Sequence, residues 1–340
     1  IEAVIGYLSA SIEWGKVTGD QDAWRQWWHN PTARAYYFIG KDNIPFHAII
    51  WPAELIRVGT RFDELIGSQP PEKMVLPHDV PANEFMNLEG QKISGSRNWA
   101  VWGLDFLTRY DPDPLRYYLT VNMPEARDSD WDWGDFLRRN NDELVATWGN
   151  LANRVLGFAN KHWEGRVPDP GELTERDQEL LALVEAGFES VGKEMEAVRL
   201  RGALAEAMRI ASEVNRYLDQ TAPWTAVKTD KAAAARAVYT ALRAIDSLKI
   251  LLAPFLPFTS EKLHTFLGYD QPLFGEQGLE TYSDNLGAHT ALRYYPEKGT
   301  GRWQPSQLQA GHPLRQPAPL FKKLEPTVVD EERARLGQTA

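Results

Sequence analysis

The sequence predicts two folds in series, an α/β region followed by an all-α, antiparallel helical bundle. Three observations predict this. Short apolar runs alternate with Gly and Pro up to about residue 85. Apolar residues recur at helical spacing from about residue 134 to 268. No internal repeat or low-complexity tract interrupts either region. With 340 residues, 43% apolar and 25% charged, the composition is that of a globular chain and excludes wholesale disorder and fibrous repeats.

In the first region (1–85), Ala35-Tyr36-Tyr37-Phe38-Ile39 reads as a buried strand ended by Gly40-Lys41-Asp42. Phe46 to Ile56 reads as an apolar helix apart from Pro52, and Met74 to Leu76 as a short strand stopped by Pro77. Strand, loop, helix, strand is the α/β order. A connector follows over 86–133. Phe85-Met86-Asn87-Leu88 and Lys92-Ile93 flank Glu89-Gly90-Gln91, a hairpin with glycine at its turn. Ser94-Gly95-Ser96 is small and polar, and a mobile loop is expected there. Asp113-Pro114 is expected to start a helix that continues through Leu119.

The bundle is expected over 134–268, as four stripes. Leu144, Leu151, Val155 and Phe158 form the first. Leu180, Leu181, Val184, Phe188 and Val191 form the second, behind the cap-like Thr174-Glu175-Arg176-Asp177. Leu204, Met208, Ala211, Val214 and Leu218 form the third, and Val238, Leu242, Ile245, Leu248 and Leu252 the fourth. Short connections make neighbours antiparallel. The stretch 269–340 is rich in Gly, Pro and Gln, with periodicity only from Ala291 to Tyr295, and an extended, partly disordered arm is expected.

The absence of cysteine excludes disulfides, a thiol nucleophile and Cys-ligated metal, and is compatible with a reducing cytosol. No secretory signal pattern opens the chain, and a cytoplasmic location is expected. The longest apolar run, Ile250 to Phe258, has nine residues and two prolines. A spanning helix needs ~20, so a soluble chain is expected, with no membrane partner. Ile1 opens the chain inside what reads as structured sequence, so an upstream half is expected. With 37 Lys+Arg against 47 Asp+Glu the net charge is −10. That argues against a non-specific DNA or membrane binder and allows an RNA binder with a local basic face. Arg138, Arg139, Arg154, Lys161 and Arg166 are candidates for such a face.

Four constellations carry chemistry. Lys92-Ile93-Ser94-Gly95-Ser96-Arg97 has open backbone N–H groups flanked by cations, suited to a polyphosphate or simply to an exposed turn. It is not a Walker loop. Asp42 falls at the carboxyl end of a strand, where open α/β sheets bind ligands, with His47 five residues on, either a partner at that site or a satisfied core histidine. Asn150 and Arg154, at i and i+4, share a helix face. Such side chains read base edges or stack on bases, or lie on a solvated surface. Trp224, in Thr221-Ala222-Pro223-Trp224, is either a stacking platform or a plug for the bundle end.

In this order the pieces resemble the bacterial methionyl-tRNA synthetases, a family of class I aminoacyl-tRNA synthetases, over essentially the whole chain. Ile5-Gly6-Tyr7 is similar to the end of the family's Asp-Ala-Pro-Ile-Gly-Tyr pocket segment. Phe38-Ile39-Gly40-Lys41-Asp42, Phe46-His47 and Trp51-Pro52-Ala53 resemble its second pocket segment, and Lys92 to Ser96 its Lys-Met-Ser-Lys-Ser signature. Asn150, Arg154 and Trp224 match its anticodon-reading positions. Pro319-Leu320-Phe321-Lys322-Lys323-Leu324 is similar to the segment that often closes the core.

The resemblance implies the C-terminal half of a Rossmann-type catalytic domain, a stem-contacting connector and an anticodon-binding bundle. It implies a ligase that forms methionyl-adenylate from methionine and ATP–Mg²⁺, then transfers methionine to the 3′ end of tRNA with a CAU anticodon, initiator and elongator alike. Tyr7, Asp42, His47 and Trp51 would bind methionine and the adenylate. Lys92, Ser94, Ser96 and Arg97 would act in catalysis. A thioether calls for an apolar, shape-selective pocket, and the signature loop would stabilise charge on the leaving pyrophosphate. A monomer is expected, with no DNA partner and no metal ligands.

Four departures qualify this. Ile93 replaces the signature Met, a mild apolar swap. Gly95 replaces the second signature lysine, with Arg97 or the ATP–magnesium geometry expected to compensate; an unchanged rate of adenylate formation in Arg97→Ala would remove the Arg97 idea. Glu2-Ala3-Val4 replaces Asp-Ala-Pro. No two of the seven histidines make the family's His-x-Gly-His element, which, like its zinc-binding insertion, is expected upstream. The chain alone is therefore not expected to catalyse methionine-dependent ATP–pyrophosphate exchange. A sister synthetase for another aliphatic amino acid, and a tRNA-binding protein without catalysis, are the alternatives.

Overall fold

Helices dominate the structure, a computed structural model that describes residues 2–57, 73–284 and 287–338. Two compact units divide the chain: 1–86, 124–129 and 278–293 form the first, and 87–123, 130–277 and 294–340 the second.

In the first unit, helix Glu2–Thr18 turns Val4 and Leu8 inward, four residues apart and so on one face. Ala35–Tyr36 pairs in parallel with Pro77–Asp79, and Ile39–Gly40 with Ala82–Asn83. Between these strands the chain passes through Phe46–Ile50, a π-helical stretch that continues helically over 51–57. Parallel strands need such a crossover, so the α/β expectation holds. Its details differ. The strand expected over 35–39 is split into Ala35–Tyr36 and Ile39–Gly40, with a register shift between Ala35 and Tyr36, while Tyr37 N and Ile39 N still donate to Asp79 O and Pro81 O at 3.1 and 3.0 Å. Pro77 opens a strand rather than ending one, as proline can at a strand's first residue. Met74 is buried with Trp24, Trp28, Tyr37, Trp51 and Leu55.

The second unit begins with the expected hairpin. Met86–Leu88 runs antiparallel to Gln91–Lys92. Glu89 (φ 49°) and Gly90 (φ 72°) both adopt the left-handed conformation that a two-residue turn of this hand demands. Ser129–Trp131 completes a three-stranded sheet. Phe106, Tyr118, Trp131, Trp133 and Phe136 are buried in mutual contact, with the rings of Trp131 and Phe136 stacked 5.4 Å apart. Helix Pro112–Val121 starts one Asp-Pro pair earlier than expected, with Asp111 at the cap position. Asp113 is instead fully buried and accepts hydrogen bonds from Thr259 N and Oγ1, both at 2.6 Å, capping helix Pro257–Phe266.

From Trp133 to His162 the backbone is one helical rod: α over Trp133–Arg139, π over Asn140–Gly149, α over Asn150–His162. Helices Glu175–Glu196, Leu200–Thr221 and Lys231–Leu252 pack with it, and the expected stripes merge into one core. Thr174 and Asp177 form a capping box, with Thr174 N donating to Asp177 at 2.8 Å. The expected arm is more ordered than its composition suggests. Glu276–Asp284 and Gly287–Tyr295 form a two-stranded sheet, and Thr327–Arg335 is a helix. The strand Gly287–Tyr295 buries no side chain fully and alternates only over Ala291 to Tyr295, where periodicity is read, and the helix is held by buried Glu332 rather than by an apolar stripe. No helix among the described residues is long and apolar enough to cross a membrane.

Candidate functional site

Tyr7 and His47 are brought together in the first unit. His47 Nδ1 lies 3.0 Å from Asn43 O, which can only accept, so Nδ1 carries the proton. In the neutral ring the lone pair is then on Nε2, where Tyr7 Oη donates at 2.9 Å. The π-helical stretch holds His47 inward at 6% exposure, while Tyr7 is 41% exposed and forms a lip. Tyr37 packs edge-on against Tyr7 at 5.0 Å and lies 5.8 Å from His47. Trp51 Nε1 donates to Tyr37 Oη at 2.9 Å, so Trp51 reaches this group through Tyr37. Burial pushes the Tyr37 hydroxyl above its ordinary pKa, with the Trp51 hydrogen bond opposing. The result is an aromatic wall with hydroxyl and imidazole groups already paired to one another. Asp42 follows strand Ile39–Gly40 as expected, on the turn Lys41–Asn43, exposed and outside these contacts.

The signature-like segment lies in the second unit. It is a turn closed by backbone hydrogen bonds. Ser94 and Trp99 exchange backbone hydrogen bonds at 2.9 Å in both directions. Gly95–Arg97 makes a 3₁₀ turn between them, and Asn98 takes the left-handed conformation, φ 49°. Ser94 Oγ and Ser96 Oγ are 3.3 Å apart. Arg97 Nη2 donates to Lys92 O at 3.3 Å, which brings its guanidinium back across the loop.

Asn150, Arg154 and Trp224 gather in the bundle. Asn150 and Arg154 are exposed on one face of the rod. Pro223 starts the short helix Pro223–Ala226, after Ala222 in the left-handed conformation (φ 41°), and this presents Trp224. The Arg154 guanidinium sits 4.7 Å from the Trp224 ring centre, a cation–π contact. Phe158 meets Trp224 edge-on at 4.9 Å and His162 at 4.4 Å. Burial, then Lys161 and Lys231, push the His162 imidazole below its ordinary pKa.

The five cations expected to form a basic face do not do so together. Arg138 and Arg139 bind Asp135 at 2.6 and 2.8 Å, and Arg139 also binds Glu143 at 3.1 Å. Arg166 Nη1 donates to Gly311 O at 3.0 Å. Carboxylates three and four residues away on the same rod thus neutralise two of the five.

Residues 1–156 match the family model for tRNA synthetases class I (M), and residues 167–293 match the anticodon binding domain of methionyl tRNA ligase. The chain is 56% identical to the methionine–tRNA ligase of Thermomicrobium roseum over 337 residues, 98% of this chain and 56% of that protein. It is 49% identical to that of Chloroflexus aurantiacus, over 100% of this chain and 57% of the relative.

The chain belongs to the methionyl-tRNA synthetase family.

It thus spans about 56% of the length of the curated methionine–tRNA ligases it matches. Its fold is that of a solved methionyl-tRNA synthetase, from Mycobacterium tuberculosis, bound by methionyl-adenylate. The TM-score is 0.72 at 24% identity, over 94% of this chain and 55% of that one. A second structure of that synthetase, in complex with methionyl-adenylate, gives 0.69 at 26% identity over 94% and 54% of the two chains. The class I synthetase fold with a helical anticodon-binding domain therefore stands. Two side chains beside the expected family positions escape sequence reasoning. Tyr37 reads as strand core, yet it links His47 to Trp51. Phe158 reads as bundle core, yet it packs against Trp224. A signal for Phe158 exists in the sequence: Asn150, Arg154, Phe158 and His162 repeat every four residues along one helix.

Proposed function

We propose that this chain is part of a methionine–tRNA ligase. The enzyme would condense methionine with ATP–Mg²⁺ to methionyl-adenylate and pyrophosphate, then pass the methionyl group to the 3′-terminal adenosine of tRNA with a CAU anticodon. The observation that carries the reading is the coincidence, in one chain, of both methionyl family matches with an exposed Asn150–Arg154 face beside Trp224. The roles follow from the chemistry. Tyr7 and His47, paired to each other, spend their polarity internally and offer a methionine side chain aromatic surface, which suits a thioether. Trp51 stiffens that wall through Tyr37, and exposed Asp42 is available to a ribose or amino group of the adenylate. Lys92 and Arg97, with the Ser94 and Ser96 hydroxyls, would stabilise the charge that grows on the pyrophosphate; the Arg97 contact with Lys92 O supports Arg97 standing in for the lysine absent at Gly95. Asn150 and Arg154 would read base edges, and Trp224 would stack on an unpaired base. In this reading residues 134–268 are the anticodon-binding region, residues 86–133 contact the acceptor stem, and the protein acts as a cytoplasmic monomer.

The test is equilibrium binding of this chain to a tRNA bearing CAU, beside the same tRNA with a changed anticodon. A preference of roughly tenfold or more for CAU is expected, since each base contact discriminates by about 1–3 kcal/mol. Equal binding at every salt concentration would sink the anticodon-reading assignment.

A further inference from the structure

A protein of net charge −10 must attract a polyanion through a local excess of cations. The arginines at 138 and 139 are neutralised, which leaves Arg154 and Lys161 on the rod and calls for further cations beside them. A cleft of about 500 Å³ opens beside the reading face, lined by Asn150 and Asn153 from the rod, Lys262 from helix Pro257–Phe266, and Lys322 and Lys323 from the Pro319–Leu324 segment. One carboxylate, Asp111, also lines it. None of the three lysines forms an ion pair among the described residues.

The segment that presents Lys322 and Lys323 is pinned. Asn140 Nδ2 donates to Lys322 O at 3.0 Å, and Asn141 exchanges hydrogen bonds with Leu324 O and N at 2.8 and 2.9 Å. Phe321 is buried over Gly149, where an added Cβ would stand 3.1 Å from its ring. With the backbone held and Phe321 and Leu324 facing in, the two intervening lysines stay exposed. Ammonium groups are point charges that suit phosphate without selecting sequence. Asn150 belongs both to this cleft and to the reading face.

We infer that this cleft holds the phosphodiester strand running on from the anticodon, with Lys262, Lys322 and Lys323 neutralising its phosphates while Asn150 marks where phosphate binding gives way to base reading. The inference rests on the tRNA-binding reading above. It adds a second, sequence-blind contact to the one made by Asn150, Arg154 and Trp224.

The experiment is a salt titration of the 340-residue chain against the CAU tRNA and its changed-anticodon counterpart. The variants replace Lys262, Lys322 and Lys323 together by alanine, or together by arginine. The alanine variant is expected to bind both tRNAs about tenfold or more weakly near 0.1 M salt, with the CAU preference unchanged. Its slope of log K against log salt should be shallower by about two to three, at roughly 0.9 for each phosphate left without its lysine. The arginine variant should restore affinity and slope. Parental affinity and slope in the alanine variant would overturn the inference, and so would a loss confined to the CAU tRNA. A parent without anticodon preference, whose salt slope still falls in the alanine variant, would remove the anticodon reading and keep the cleft. A parent that binds neither tRNA overturns both.

Discussion

Lys249 and His264 face each other 2.9 Å apart inside the bundle. His264 Nε2 lies 3.0 Å from Gln271 O, so it carries the proton, and Nδ1 accepts from the Lys249 ammonium. Lys249 also donates to Asp246 at 2.6 Å, and Asp246 accepts in turn from Tyr269 (2.9 Å) and Ser306 (2.5 Å). A second proton on His264 would point at an ammonium group. Burial, then Lys249, accordingly push the imidazole down to about 4. The sign follows by linkage. Between about 6.5 and 4 the unfolded chain binds the proton and the folded chain does not, so stability falls as the pH falls across that window. Between pH 7 and 4.5 the loss due to His264 should be roughly 2–3 kcal/mol. Urea unfolding at both pH values should show a correspondingly smaller loss in His264→Gln; parallel losses would dismiss the account. Neither residue is legible as a site from sequence, because a lysine and a histidine within helical stripes look like solvated positions. The pairing at Tyr7 and His47, 40 residues apart, is legible only through the family motif.

At the scale of elements, periodicity reveals what apolar burial builds. The four bundle stripes and the Thr174–Asp177 cap are readable because side chains at helical spacing enter one core. Elements secured by polar contacts are not. Helix Thr327–Arg335 is anchored by Glu332, which accepts from Arg109 at 2.8 and 2.9 Å and from Tyr110 at 2.8 Å. Arg333 adds Glu89 at 2.8 Å. Past its end, Gly337, left-handed at φ 74°, donates to Asn98 O at 3.0 Å next to the signature turn. Glu332→Ala removes the bidentate partner of the Arg109 guanidinium, which keeps Asp105 at 2.7 Å, and should cost about 2 kcal/mol in denaturant unfolding. A loss below about 1 kcal/mol would mean that the helix is held by something else. The repeated Asp111-Pro112-Asp113-Pro114 offers two equally good helix starts. Tertiary structure chooses the first and frees Asp113 to cap a helix 146 residues away at Thr259.

For the whole molecule, the order of the motifs carries more than any one of them. The α/β-then-bundle organisation follows from texture alone, whereas the register shift at Ala35–Tyr36 and the pairing of Glu276–Asp284 with Gly287–Tyr295 depend on contacts that alternation does not encode. The candidate residues divide between the two units: Tyr7, Asp42, His47 and Trp51 in one, the signature turn and the Asn150 face in the other. Substituting Tyr7→Phe or His47→Gln should therefore leave the CAU preference within about twofold of the parent, read by the same tRNA titration. A tenfold fall would show that the first unit governs anticodon reading.

The wide-turned stretch Asn140–Gly149 has a consequence for how this molecule tolerates change. A helix advances about 100° per residue, but Leu151, Ala152, Val155, Leu156 and Ala159 are buried in the core and fix the azimuth of Asn150, Arg154 and Phe158 on the opposite side of the rod. The stretch acts as a slack coupling: a residue gained or lost within it is taken up in its wide turns, while Asn140, Asn141 and Gly149 keep hold of the Phe321 segment and the buried face downstream keeps the reading side chains aimed.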